Sequence, residues 1–342
     1  MFRIDAFSHV LPATYRKAVL DSVPDPSAIL QLWGMVDSLT NIDERIAAMA
    51  ETGVDMQVLT LATPPPEQMF EQKLVERLVP VANDSIAQLV VDHPDRFVGT
   101  CSVDLRDPER ASAELDRSVT ELGLQGVQLF SNIAGRPLDH PDFEEFYSEV
   151  ERLGVPIWIH PYRPESHADY PTETESKYLI WYSLGWPMDT TIAMARLVFG
   201  GVLARHPRLR VIIHHAGALV PSLAHRLKTI YRAEWLAHSD FAPGVPRPYV
   251  DEFKQFYGDT VVTYGGSAAL RRACDFFGLD HIVFGTDTPY GLREGREFNE
   301  LAVSAVSGLG LTPEQADLIW HGNVLDLLPD GDRLRAKMAA VR

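Results

Sequence analysis

Residues 142–161 read DFEEFYSEVERLGVPIWIHP, and this stretch decides the fold. Asp142–Leu153 carries a helical pattern, and Pro156–His160 is a short apolar run with a polar end. A helix that passes through a glycine into a nearly continuous apolar strand is half of a parallel βαβ unit. Parallel strands need a crossover between them and are buried on both faces. The same alternation extends in both directions. Strands are predicted over Phe2–Phe7, Asp55–Leu61, Arg96–Val103, Gly126–Phe130, Pro156–His160, Arg210–His214, Thr260–Thr263 and His281–Gly285. Helices are predicted over Asp43–Thr52, Glu67–His93, Pro108–Leu122, Asp142–Leu153, Thr190–Arg205 and Ala268–Phe277.

Eight strands with helices between them imply a parallel sheet. An open doubly wound sheet alternates too, but usually opens with a glycine-rich turn after its first strand. Ser8-His9-Val10-Leu11-Pro12 stands there instead. The reading is therefore α/β, a closed (β/α)8 TIM barrel, with insertions at Pro161–Pro187 after the fifth strand and Ala233–Asp259 after the sixth. Thr312–Leu328 is read as short C-terminal helices closing the barrel. Residues 1–342 are expected to form a single domain, since one such barrel commonly runs to about 250 residues or more. Long loops of this kind tend to be lids or interfaces.

The composition is that of a globular protein, 46% hydrophobic and 23% charged. A net charge of −16 argues against nucleic acid or an anionic membrane as partner. It leaves room for an acidic small substrate, because a metal ion reverses the local field. Two cysteines, Cys101 and Cys274, suggest thiols in a reducing compartment rather than a disulfide framework. No signal peptide is read in MFRIDAFSHV, and no apolar run reaches the roughly 18 residues of a membrane span, so a soluble, cytoplasmic protein is expected.

Catalytic groups of such barrels sit at the C-terminal ends of strands. The first predicted strand ends at His9, the fifth at His160, the sixth at His214-His215 and the eighth at Asp287. Any one such histidine is more often structural, and an aspartate in Gly285-Thr286-Asp287-Thr288-Pro289 also suits a loop cap. Four polar ends converging on one mouth need a common reason, and two imidazoles with a carboxylate suit a catalytic metal. Strand alternation lets only one of His214 and His215 point inward.

The residues also carry a resemblance. It runs through Ile4-Asp5-Ala6-Phe7-Ser8-His9-Val10-Leu11-Pro12, Gly126-Val127-Gln128-Leu129 and Pro156-Ile157-Trp158-Ile159-His160-Pro161. It continues through Gly185-Trp186-Pro187, His214-His215-Ala216-Gly217-Ala218-Leu219-Val220-Pro221 and Phe284-Gly285-Thr286-Asp287-Thr288-Pro289. In this order the blocks resemble the amidohydrolase superfamily, in the branch related to aminocarboxymuconate semialdehyde decarboxylase. The resemblance implies His9, His160 and Asp287 as metal ligands, with Asp287 also able to move protons, and His215 as general acid/base. It implies one divalent ion, zinc first and manganese next, and a likeness to homodimeric enzymes. The activity implied is non-oxidative decarboxylation of a small aromatic or conjugated carboxylic acid. Hydrolysis of a lactone, amide or ester is the alternative within the same family.

One position departs from the pattern. Where the family places a first ligand, His or Glu, this chain has Phe7, which ligates nothing. Three readings follow: a metal enzyme with a reduced shell in which His215 substitutes, a metal-free enzyme using His215 and Asp287, or a non-catalytic small-molecule-binding barrel. For the substrate, Arg45 and Arg163 are candidate carboxylate partners. Either is also read as an ordinary salt-bridging arginine. Tyr162, Trp181, Tyr182 and Trp186 suit stacking on a planar ring or a contact between subunits.

Overall fold

The computed structural model describes residues 1–25, 30, 33–34, 36–231, 242, 244–246, 249–261 and 266–341. Among them, nine short strands run parallel: β1 Ile4–Val10, β2 Met56–Leu61, β3 Phe97–Gly99, β4 Cys101–Ser102, β5 Val127–Phe130, β6 Ile157–His160, β7 Val211–Ile213, β8 Tyr257–Asp259 and β9 Ile282–Val283. Pairing follows chain order as β1-β2-β3 and β4-β5-β6-β7-β8-β9. β3 and β4 are one stave interrupted at Thr100, whose N–H donates to Leu59 O while that of Cys101 donates to Gly126 O. The circle closes between first and last staves, where Ala6 N donates to Phe284 O and Asp287 N to Phe7 O. Eight staves therefore form the closed (β/α)8 barrel expected from the alternation.

The stretch that began the reading folds as read. A helix over Glu144–Leu153 buries Phe146, Tyr147 and Val150 and ends at Gly154, whose φ of 66° suits glycine at a helix C-terminus. β6 follows, wholly buried. The barrel interior is filled by Phe7, Val58, Trp158, Ile212 and Val283, and Leu325, Leu334 and Met338 of the C-terminal helices pack into its floor. Trp158 Nε1–H donates to Ala6 O across the interior. The floor is thus apolar and sealed, which leaves the opposite mouth for chemistry.

Several boundaries move. β1 starts later than Phe2 and runs on to Val10, so His9 lies inside a strand. The helix expected over Glu67–His93 is two, Pro66–Met69 and Gln72–Asp92, broken where Phe70 and Glu71 are extended. That over Thr190–Arg205 begins at Trp186 and divides at Gly200-Gly201, with Gly201 left-handed. The described part of the strand expected over Thr260–Thr263, Thr260 and Val261, is not extended into the sheet; the seventh stave is β8, which registers Gly258 with Ile282. There the Asp259 carboxylate accepts from Val261 N and the Thr260 hydroxyl donates to Gly285 O, turning the chain out of the sheet. Residues 262–263 lie outside the described residues. The insertion expected over Ala233–Asp259 accordingly ends in the helix Tyr249–Glu252 and β8, while much of its first part lies outside the described residues. The tail adds the helix Gly331–Val341.

Candidate active site

Four groups converge at the C-terminal mouth. His9 comes from β1, His160 from the last position of β6, His214 from the residue after β7, and Asp287 from the loop after β9. One nitrogen or oxygen from each lies within 4.8 Å of the others. His9 Nε2 and His214 Nε2 approach Asp287 Oδ1 at 3.1 and 3.2 Å. Neither nitrogen makes a directed hydrogen bond with any described residue, although both are fully buried.

The rear nitrogen of each ring is held. Thr60 Oγ1 donates to Ser8 O and so accepts from His9 Nδ1–H, at 2.9 Å. His160 Nδ1 donates to Pro161 O at 2.7 Å, and His214 Nδ1 to Asp259 Oδ2 at 2.5 Å. These bonds hold the rear nitrogens and aim three Nε2 atoms at one point beside a carboxylate, with the Nε2 of His214 carrying a proton until a cation displaces it. Rear hydrogen bonds of this kind orient histidine ligands and raise their basicity. Convergent, buried nitrogen and oxygen donors fit a divalent cation well.

The electrostatics agree. Burial, then the charges of His9 and His214, hold His160 well below the usual histidine range. Burial also lowers His9, so both rings are neutral at pH 7. Burial raises the Asp287 carboxyl, but the charge of His214 and the close approach of the His214 and His9 rings outweigh it and leave the group ionised. Burial lowers His214 too, yet Asp259 and Asp287 together raise it to about 9. Two carboxylates thus make the spot around His214 Nε2 attractive to positive charge.

His214 and His215 both face the site, against the expectation that alternation admits one. β7 stops at Ile213, and His215 and Ala216 adopt left-handed φ of 57° and 54°. Outside a strand the period of two no longer applies. His215 Nε2 sits 3.9 Å from Asp287 Oδ2. Burial and then the charge of His214 bring the His215 imidazolium down to about 4, so this ring is neutral at pH 7. Non-glycine residues in the left-handed region cost free energy and recur at functional sites.

The cluster opens into a cavity of about 580 Å³ lined by Trp33, Tyr162, Arg163, Trp181, Tyr182, Trp186, Tyr290, His160 and Asp287. Tyr162 and Trp186 line this cavity, and the His160 and Trp186 rings meet edge-on with centroids 5.4 Å apart. Arg163 lines the wall but is clamped bidentately by Asp189, at 2.9 and 3.0 Å. Arg45 is not in the cavity. It lies buried behind β1, donating to Gln57 Oε1 and His9 O, so it is neither a substrate partner nor a surface arginine. Asp259, Thr60, Trp33 and Tyr290 are not singled out as site residues from the sequence, and His214 is named there only as half of the His214-His215 strand end, without a role. Tyr290 had a signal in its place three residues after Asp287, whereas Tyr257-Gly258-Asp259 offers no apolar run to mark a strand end.

A closed parallel barrel with histidines and a carboxylate gathered at its C-terminal mouth defines the class, a (β/α)8-barrel enzyme with a candidate metal centre. The amidohydrolase family model matches residues 4–329. The 2-amino-3-carboxymuconate-6-semialdehyde decarboxylase of Dictyostelium discoideum is 30% identical over 80% of this chain and 77% of its own. The gamma-resorcylate decarboxylase of Rhodococcus jostii (strain RHA1) is 31% identical over 72% of this chain and 77% of its own. The solved dihydroxybenzoic acid decarboxylase of Polaromonas sp. JS666, with bound manganese and the inhibitor 2-nitroresorcinol, superposes with a TM-score of 0.75 at 24% identity, covering 95% of this chain and 96% of that one. The chain belongs to the amidohydrolase family, in the branch populated by decarboxylases.

Proposed function

We propose that this chain is a metal-dependent, non-oxidative decarboxylase of a small aromatic carboxylic acid. The observation that carries the reading is the convergence of His9 Nε2, His160 and Asp287 at the floor of a cavity walled by aromatic rings. His9, His160 and Asp287 are the ligands carried over from the resemblance. One divalent ion is assigned, zinc first because histidine and carboxylate donors suit it, and manganese next because the Polaromonas relative holds it. Bound there, the ion supplies Lewis acidity and a template for the substrate carboxylate or a neighbouring oxygen.

The chain's own residues do the rest. Trp186, Tyr162, Trp181 and Tyr182 line the cavity and suit the faces of a planar ring. Breaking the bond between ring carbon and carboxylate releases CO2 and leaves the electron pair on that carbon, which takes up a proton. Asp287 is held ionised and is a poor donor. His215, neutral and beside Asp287, takes a proton from solvent at one ring nitrogen and passes it to the carbon. Arg163, neutralised by Asp189, shapes the wall more than it attracts charge.

The non-catalytic reading rested on Phe7, and the donor cluster assembles without that position. We also read residues 1–342 as one domain, because Leu334 and Met338 pack into the barrel floor. A homodimer is supported by exposed apolar side chains on the insertion, with Tyr178 at 90% and Leu184 at 66% exposure. A reducing, cytoplasmic setting is supported by two unpaired thiols, and no described helix is long and apolar enough to cross a membrane. The test is to load the protein with zinc or manganese, confirm about one equivalent per chain, and screen hydroxylated aromatic acids for CO2. Release of CO2 with the protonated arene confirms the reading. Loaded protein that releases none, yet opens lactones or amides, overturns it in favour of hydrolysis.

A further inference from the structure

The barrel's first strand presents Phe7 toward the cluster, and this ring is in face contact with His214. Their centroids are 4.0 Å apart at 25°, and both side chains are fully buried. On its other side His214 meets Asp259, whose Oδ2 accepts from Nδ1 at 2.5 Å. The second oxygen of Asp259 accepts from Ala216 N at 2.8 Å and Val261 N at 3.0 Å, so the carboxylate is itself fixed. His214 is thereby held in one orientation by a ring and a carboxylate, with a buried Nε2 that hydrogen-bonds to no described residue.

We infer that His214 supplies the fourth protein donor of the metal centre, taking the place that the first strand gives up at Phe7. This rests on the metal-centre reading above. Phe7 is then the packing partner that keeps the donor ring in place rather than a lesion in the site. Asp259 makes that ring a stronger donor by holding the proton on its far nitrogen. The left-handed turn at His215 and Ala216 completes the arrangement, since it lets two adjacent histidines divide the work. His214 serves the metal, and His215 stays out of the donor set to move protons. The inference reverses the sequence expectation that His215 replaces the missing ligand, because His214, not His215, is among the converging donors, and its Nε2 lies 3.2 Å from Asp287 against 3.9 Å for His215.

Cobalt(II) is the probe, read on the full-length protein without substrate, so the result stands apart from CO2 release. Three imidazole ligands, each protonated on its far nitrogen, give three solvent-exchangeable, paramagnetically shifted proton resonances. His9 and His160 alone give two, and that count overturns the inference. In parallel, cobalt affinity is measured for His214→Gln, Asp259→Asn and His215→Gln. His214→Gln is expected to bind on the order of 100-fold more weakly, Asp259→Asn about 10–100-fold more weakly, and His215→Gln like the parent. A folded His214→Gln protein with parent affinity overturns the inference and leaves a three-ligand centre standing. A parent protein that takes up no cobalt, zinc or manganese overturns both. Where a variant fails to fold, the resonance count on the parent decides.

Discussion

Nε2 of His215 lies 3.9 Å from Oδ2 of Asp287, close enough to exchange a proton through a bridging group and too far for a direct hydrogen bond. The relationship separates the two adjacent histidines, because His214 approaches the other oxygen of the same carboxylate. Replacing His215 by Asn removes a proton carrier without removing a converging donor. His215→Asn is expected to keep its metal and to lose about 10²-fold or more in turnover, the scale of general acid–base catalysis. Metal analysis and CO2 release on the same preparation check this, and unchanged turnover refutes the proton-transfer role.

His160 is the donor placed by β6. It closes a fully buried strand and donates through Nδ1 to Pro161 O, and Trp186 packs on its ring edge. His160→Ala is expected to lower metal content and activity together, with little change in helix content by circular dichroism. Full metal retention at equal protein concentration removes His160 from the coordination set.

How much of this was legible in the sequence depends on what each residue's neighbours encode. His160 and Asp287 were readable because an apolar run followed by a polar end is a local signal, and the barrel turns such ends toward one mouth. His9 was readable for the same reason, although its strand runs one residue beyond it. His214 was not, because the period-two argument assumes that the strand continues, and the chain leaves the sheet at Ile213. β8 was misplaced because Val261-Val262 looks like a strand while Tyr257-Gly258-Asp259 does not, and only the tertiary pairing with β7 and β9 selects the latter. Arg45 was misjudged because its helix position says nothing of the buried acceptors waiting for it across the barrel wall.

Those acceptors give Arg45 a prediction of its own. Its guanidinium donates to Gln57 Oε1 at 3.0 Å and to the carbonyl of His9, and Gln57 in turn donates to Asp5 Oδ2 at 2.9 Å. Asp5 also holds Thr286, the residue before Asp287. Arg45→Met keeps the aliphatic stem and strips the donors, leaving buried oxygens unpaired. It is expected to destabilise the fold by at least about 2 kcal/mol, read from urea unfolding, while KM for the substrate acid changes little. A large rise in KM with parent stability would restore Arg45 as a substrate partner.

Glu67 predicts how stability follows pH. It is buried in the short helix Pro66–Met69 that follows β2 in the chain, and burial, assisted by the charge of Asp104, raises its carboxyl to about 8. The unfolded chain releases this proton near 4.5, so between 4.5 and about 8 the folded state binds more protons than the unfolded one. Stability therefore falls as pH rises through that window and levels off above it. Asp5, raised to about 7 by burial, pushes in the same direction. Glu67→Gln carries no proton to lose, so its urea midpoint should decline less than the parent's between pH 5 and pH 9. The two proteins should differ least at pH 5 and most at pH 9, with the variant the more stable at the alkaline end. Parallel curves across that range would mean that Glu67 is ionised in the fold, and that solvent or Arg106 compensates its charge despite the burial.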